Sequence, residues 1–269
     1  MIKVNGVEIK PSYFPDGTLS SKINQSIISS THTVIDWLYE NNEEMTTLYF
    51  LVKYLKEHRK ILELRMPYIP NARQDRVKHE EDVFYLKYFA EFINDLGFNC
   101  VKVRDPHSYV SEALIKNLYV ESAEEYIDFA RKYCDPDLIF YPDEGAMKRY
   151  SAVAPMEYAF GVKRRSWETG KIEGLDVIGD PEKIKGKTIL IVDDICSRGG
   201  TFFHSAKKLK EMGAGDIYLY ITHCENTILD GDVLNSGLIE KVYTTESIFT
   251  KEHEKIYVIK TKNKKGKGI

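Results

Sequence analysis

The sequence predicts an α/β fold of mainly parallel sheets flanked by helices, and three observations lead there. Short β-branched and aliphatic runs alternate with helix-period stretches along most of the 269 residues. The run Thr188–Val192 is apolar without alternation, the pattern of a strand buried on both faces, as parallel sheets require. The unusual polar groups collect just after the strands, where open α/β sheets bind their ligands. The length suits one large domain or two ordinary ones, and two βα halves meeting near residues 115–122 fit the alternation.

In chain order, Ile2, Val4, Val7 and Ile9 alternate around Asn5-Gly6, a strong hairpin signal. Phe14-Pro15-Asp16-Gly17-Thr18 reads as a turn leading into a polar strand. His32–Tyr39 is a core strand through Val34, Ile35, Trp37 and Leu38. Asn42 is placed to cap a helix running to about Arg59, with Leu48, Leu51, Val52 and Leu55 on one face. Ile61–Met66 is a strand, Asp82–Leu96 a helix stopped by Gly97, and Cys100–Val103 a strand. Ser122–Tyr133 is helical, and Leu138–Tyr141 and Tyr158–Lys163 are strands. After Thr188–Val192 come a helix from Phe202 to Gly213, a strand Ile217–Thr222, a helix near Asn226–Leu234, and strands Lys241–Thr244 and Lys255–Ile259. The lysine-rich end, 261–269, is a solvated tail or a binding arm.

The stretch Lys187–Gly213 carries the densest chemistry. Asp193 and Asp194 close a strand, and Ser197-Arg198-Gly199-Gly200-Thr201 turns the chain into a helix. Backbone N–H groups and a helix N-terminus then point at one spot, which suits a phosphate. Two carboxylates at a strand end suit ribose hydroxyls or Mg²⁺. Alone, an ordinary βα turn with solvated acids would look the same. Further strand ends carry Arg73, Gln74 and Asp75, then Asp105 and His107, Asp143, Lys163 and Arg165, and His223, and this convergence argues for a site.

Composition narrows the classes. The chain is 43% hydrophobic and 29% charged with net charge −3, an ordinary globular profile with no general case for nucleic-acid or membrane binding. Cys100, Cys134, Cys196 and Cys224 are scattered, with no CxxC and no zinc spacing, so reduced thiols are expected. No apolar stretch reaches membrane-spanning length and no signal-peptide core opens the chain, so a cytoplasmic protein is expected.

Five segments resemble, in order, those of ribose-phosphate pyrophosphokinases, also called phosphoribosyl pyrophosphate synthetases. PYIPNARQDR (67–76) is similar to that family's ATP-binding segment and RDPHS (104–108) to its metal and ATP turn. PDEGAMKR (142–149) is similar to its Pro-Asp-x-Gly segment, VKRR (162–165) to its catalytic loop, and VDDICSRGGT (192–201) to its ribose-phosphate loop. The resemblance spans most of residues 14–245. It implies two type I phosphoribosyltransferase-like domains, an ATP-binding one over 1–118 and a ribose-phosphate-binding one over 119–260. It also implies transfer of the β,γ-diphosphate of Mg-ATP to the C1 hydroxyl of a ribose 5-phosphate group, releasing AMP.

By matching position, Arg73, Gln74 and Asp75 with His107 would serve ATP, and His107 and Asp143 the Mg²⁺ ions. Asp193 and Asp194 would take the ribose hydroxyls, with Ser197, Arg198, Gly199, Gly200 and Thr201 around the 5-phosphate. Lys163 and Arg165 would supply catalytic positive charge. Phe14 and Asp16 lie in a turn that in relatives reaches a neighbouring subunit's nucleotide, which implies a dimer-based homo-oligomer. Plainer readings stand beside these: a core histidine for His107, a turn-capping acid for Asp143, and a solvated basic turn for Lys163-Arg164-Arg165. Arg76, Lys148 and Arg149 are either phosphate contacts or surface charge, and His223 is read as support for the loop or the domain interface.

Several departures matter. The usual first strand-helix unit is replaced by the hairpin around Asn5-Gly6, and Thr18 stands where the family normally has glutamate. Ser197-Arg198 replaces the usual Asp-Thr of the phosphate loop. Arg198 either grips a phosphate monoester more firmly or serves a longer 5-substituent such as ADP-ribose, for NAD⁺ synthesis or salvage. A base phosphoribosyltransferase, a non-catalytic regulatory subunit of the same family and a receiver domain are the other classes. The first two are separated from the kinase by ATP dependence and by silence of the purified protein.

Overall fold

The computed structural model describes residues 1–165 and 172–260, apart from the side chains of 163–165, 172 and 173. The expected lysine-rich tail therefore lies outside the described residues. The chain divides into two compact units, Met1–Ser122 and Ala123 onward.

The first unit opens with strands β1 (Ile2–Val4) and β2 (Val7–Ile9), paired antiparallel. Asn5 (φ 48°) and Gly6 (φ 80°) both take the left-handed region that the tight hairpin needs. A two-residue pair, β3 (Ser12–Tyr13) and β4 (Leu19–Ser20), flanks the Phe14–Thr18 turn, and a short helix α1 (Gln25–Ser29) follows. Then come β5 (His32–Trp37), α2 (Glu43–Glu57), β6 (Ile61–Arg65), α3 (Tyr85–Leu96), β7 (Cys100–Arg104), α4 (Tyr109–Leu114) and β8 (Leu118–Glu121).

The sheet order is β2-β1-β5-β6-β7-β8, with β5 to β8 parallel. Ile35, Trp37, Leu62, Leu64, Val101 and Val103, at alternate strand positions, pack with Leu48, Val52 and Leu55 of α2 and Phe89 and Ile93 of α3. Each such fully buried aliphatic side chain contributes about 1.5–3 kcal/mol. The opposite face of this sheet is polar: Lys3, Asp36, Arg65 and Lys102 lie in one cross-strand row.

The second unit runs α5 (Glu124–Cys134), β9 (Leu138–Tyr141), α6 (Glu144–Tyr150), β10 (Tyr158–Arg165), β11 (Ile172–Ile178), β12 (Ile189–Cys196), α7 (Gly200–Glu211), β13 (Ile217–Cys224), α8 (Asp232–Asn235), β14 (Lys241–Thr245) and β15 (Ile256–Ile259). Short 3₁₀ turns cover Pro181–Lys183 and Asn226–Asp230. The order is β11-β10-β9-β12-β13-β14-β15, and only β11 is antiparallel to its neighbour. Both faces are covered. Ile191, Leu219 and Ile221 pack with Phe202, Ala206 and Leu209 of α7 on one side. Leu190, Val192 and Tyr220 pack with Tyr126, Ile127 and Ala130 of α5 on the other. This is why Ile189–Val192 of β12 reads as an unbroken apolar run.

The structure corrects several local expectations. Asn41, not Asn42, caps α2: its Oδ1 accepts the N–H groups of Glu43 at 3.0 Å and Glu44 at 3.3 Å. Asn42 instead accepts the Tyr39 hydroxyl at 2.8 Å. Helix α3 begins at Tyr85, because the Asp82 carboxylate is engaged by the N–H groups of Lys78 and His79. The helix expected near Asn226–Leu234 breaks at Gly231 into a 3₁₀ turn and α8. Strand β12 continues through both acids to Cys196, because its ladder with β13 extends to the Cys196–Cys224 pair. All four cysteines are free thiols, as expected. No helix among the described residues is long and apolar enough to cross a membrane.

Candidate active site

Parallel pairing of β9 with β12 (Leu190 opposite Ile139, Ile191 opposite Phe140) brings Pro142-Asp143 level with Asp193-Asp194. Asp143 takes extended backbone and its Oδ1 accepts the Ala146 N–H at 3.0 Å, capping α6. Asp194 is 6% exposed, and its Oδ2 accepts from Nη1 of Arg149 at 2.9 Å. Asp193 Oδ1 accepts the Asp194 N–H at 2.9 Å. Burial, and then the neighbouring carboxylates of Asp194 and Asp143, push the Asp193 carboxyl well above the usual range. A site of this kind gains from hydroxyl donors or a further cation.

Beyond β12 the chain turns through Ser197 and Arg198 to Gly199, whose φ of 80° places it in the left-handed region at the N-cap of α7. Gly200 and Thr201 open that helix, and its first-turn N–H groups have no intrahelical acceptors. With the positive end of the helix dipole, such N–H groups can hold an anion. Arg198 is exposed beside it and Ser197 half-buried.

Lys163 and Arg165 lie on β10 and not in a loop; their side chains fall outside the described residues. Strand β10 pairs with β9 only as far as Phe160–Tyr141, whereas its antiparallel partner β11 follows it to Arg165. Residues 161–165 therefore run past β9 as a two-stranded ribbon, about 16 Å long at strand rise. Gly161 marks the departure: a Cβ there would fall 2.8 Å from the Pro142 carbonyl oxygen.

In the first unit, Arg73 and Gln74 are exposed and Asp75 is buried, in a turn that includes Asn71 at φ 62°. Asp105 sits at φ 40° in the turn after β7, with His107 half-buried. The two turns meet at Asp75. The Arg76 guanidinium holds its carboxyl below the usual range against the opposing effect of burial, and the Ser108 hydroxyl and the His107 ring add to the lowering. Phe14 and Asp16 are exposed at the β3–β4 tip. Asp16 Oδ1 accepts both the backbone N–H of Thr18 at 3.0 Å and its hydroxyl at 2.7 Å, so Thr18 is committed to shaping the turn.

Arg149, left by sequence between phosphate contact and surface charge, is an Asp194 partner. Lys148, by contrast, pairs with Glu144 on the surface. His223 is 1% exposed, with Nδ1 2.9 Å from the Ser247 hydroxyl, within the sheet behind the site. Among the described residues no group of three or more His, Cys, Asp and Glu could hold a metal ion.

Residues 165–265 match the family model described as phosphoribosyl synthetase-associated domain. The ribose-phosphate pyrophosphokinase of Thermococcus kodakarensis is 31% identical over 251 residues, 89% of this chain and 82% of the relative. That of Sulfurisphaera tokodaii is 27% identical over 92% of this chain and 87% of the relative. In three dimensions the fold is similar to phosphoribosylpyrophosphate synthetase from Mycobacterium smegmatis, with a TM-score of 0.76 at 19% identity, covering 94% of this chain and 86% of that one. Five motifs in family order, a mainly parallel two-unit α/β fold and this level of identity lead to one conclusion: the chain belongs to the ribose-phosphate pyrophosphokinase family of enzymes.

Proposed function

We propose that the chain transfers the β,γ-diphosphate of ATP to the C1 hydroxyl of ribose 5-phosphate, releasing AMP. The observation that carries the reading lies in the second unit: Asp143, Asp193 and Asp194 stand level beside a left-handed glycine turn that opens α7, in the sheet from which the Lys163–Arg165 ribbon extends. In the reaction the C1 oxygen bonds to the β-phosphorus and the bond from that phosphorus to the α-bridging oxygen breaks. AMP leaves with the electron pair and the hydroxyl proton passes to solvent.

The protein's work is positioning and charge stabilisation. Asp193 and Asp194 accept from the ribose hydroxyls, and Ser197, Arg198, Gly199, Gly200 and Thr201 hold the 5-phosphate. Arg73, Gln74, Asp75 and His107 bind ATP, and Lys163 and Arg165 meet the charge that builds on the departing AMP. His107 and Asp143 would hold magnesium, which would supply neutralisation of phosphate charge; the mutual repulsion of the Asp143, Asp193 and Asp194 carboxylates supports the Asp143 part of that assignment. Phe14 and Asp16 reach a neighbouring subunit's nucleotide in a dimer-based homo-oligomer. The first unit thus serves ATP and the second the sugar.

The test is AMP release from ATP with ribose 5-phosphate or ADP-ribose as acceptor. Release with ribose 5-phosphate, in a first-order dependence on enzyme, supports the reading. Release with ADP-ribose alone would move the acceptor to the longer substituent, and release with neither would end the kinase assignment.

A further inference from the structure

A contact behind the glycine turn has no part in the chemistry above. A Cβ on Gly231 would fall 1.8 Å from the carbonyl oxygen of Arg198 and 2.8 Å from its carbonyl carbon. Gly231 has φ −105° and ψ 163°, backbone that any residue adopts, so the position needs glycine for space alone. The oxygen rests against the Cα itself, in the manner of a Cα–H···O contact. Two residues on, Val233 is fully buried, and a Cβ on Gly199 would fall 2.5 Å from its Cγ1. The Gly231 N–H donates to the Ile228 carbonyl at 3.1 Å and the Glu225 N–H to the Cys196 carbonyl at 2.8 Å, fixing this wall to the strand that feeds the turn.

In a trans peptide the C=O and N–H point in opposite directions. Seating the Arg198 oxygen on Gly231 therefore turns the Gly199 N–H away from the wall. A methyl at 231 would push that oxygen out by more than about 1 Å to regain ordinary contact, rotating the peptide with it.

We propose that Gly231 is a positioning residue for the sugar-phosphate site: its missing side chain seats the Arg198 peptide and so aims the Gly199 N–H at a 5-phosphate oxygen. The proposal rests on reading this turn as the phosphate grip. It makes Gly231–Val233 the element that sets affinity for the acceptor and leaves ATP untouched.

The experiment varies ribose 5-phosphate and ATP separately for wild type, Gly231→Ala and Val233→Ala, with circular dichroism on each. Gly231→Ala should raise the KM for the sugar by about tenfold or more, with the KM for ATP within about twofold. Val233→Ala, which removes atoms behind Gly199 and adds none, should raise the sugar KM by about 2–5-fold with the same selectivity. Unchanged sugar KM in a folded Gly231→Ala, or equal rises for both substrates, overturns the proposal; if Gly231→Ala does not fold, Val233→Ala decides by the same criteria. A wild type that releases no AMP would count against the reaction and not against this contact, and a ribose 5-phosphate titration followed by ³¹P NMR then decides. Weaker binding by the variant supports the proposal, whereas equal binding, or none by wild type, overturns it.

Discussion

Cutting the contact between Arg149 and Asp194 tests how the second unit holds its acids. The Arg149 and Asp194 side chains are 20% and 8% exposed, at an N–O distance of 2.9 Å. Removing one partner of a buried pair strands the other charge, at a cost of about 3–5 kcal/mol. The residual exposure of Arg149 puts this pair near the lower end, about 3 kcal/mol. At about 2–4 °C per kcal/mol for a unit of this size, Arg149→Met should lower Tm by about 6–12 °C. Asp194→Asn keeps the shape and removes the charge, so the double variant leaves nothing stranded and should be more stable than Arg149→Met alone. Thermal melts of the four proteins close a double-mutant cycle, with an expected coupling of about 1.5–3 kcal/mol. Additive losses, with the double variant the least stable of the set, would refute the claim that Arg149 neutralises Asp194.

Other expectations follow from the same geometry. Asp193→Asn should leave Tm, measured at pH 7 without metal, unchanged or raised, while AMP release in magnesium-containing buffer falls about 10²-fold. The raised carboxyl favours the folded state in its protonated form, a contribution present below its unfolded value of 3.8 and lost as pH rises through the higher folded value. Asp75 has the opposite sign: its lowered carboxyl adds stability above 3.8 that is lost as pH falls through the folded value. Melts between pH 3 and 7 should therefore show a shallower acid decline in Asp75→Asn than in wild type; equal slopes would contradict this. Lys163→Ala and Arg165→Ala should each lower kcat about 10²–10³-fold with unchanged circular dichroism, and a full-rate variant would remove that residue from the catalytic set.

The parts of the fold visible in the sequence are those set by local pattern. The Asn5-Gly6 hairpin, the apolar face of α2 and the left-handed stop at Gly97 follow from turn chemistry and periodicity. Strand β11 was hidden because Ile172–Ile178 mixes polar and apolar residues and acquires strand structure by pairing with β10. The same pairing turns Lys163–Arg165 from an expected loop into a ribbon. Helix α6 has seven residues, too few for a periodic signal, and its cap is the residue read as a ligand, Asp143. Capping and ligation use different lone pairs of one carboxylate, so the two readings of Asp143 are compatible. Arg149 could not be placed by any local rule, because its partner lies 45 positions away. Asn41 displaced Asn42 by a single residue, the ordinary resolution of boundary signals.

The central claim, that the acids of β12 and the ribbon of β10 act on one sugar to receive a diphosphate, is tested most directly by ³¹P NMR of the products from ATP and ribose 5-phosphate. The account predicts AMP and a sugar carrying two mutually coupled phosphorus atoms on C1, in equal amounts. ADP with a singly phosphorylated C1, or ATP recovered unchanged, would contradict it.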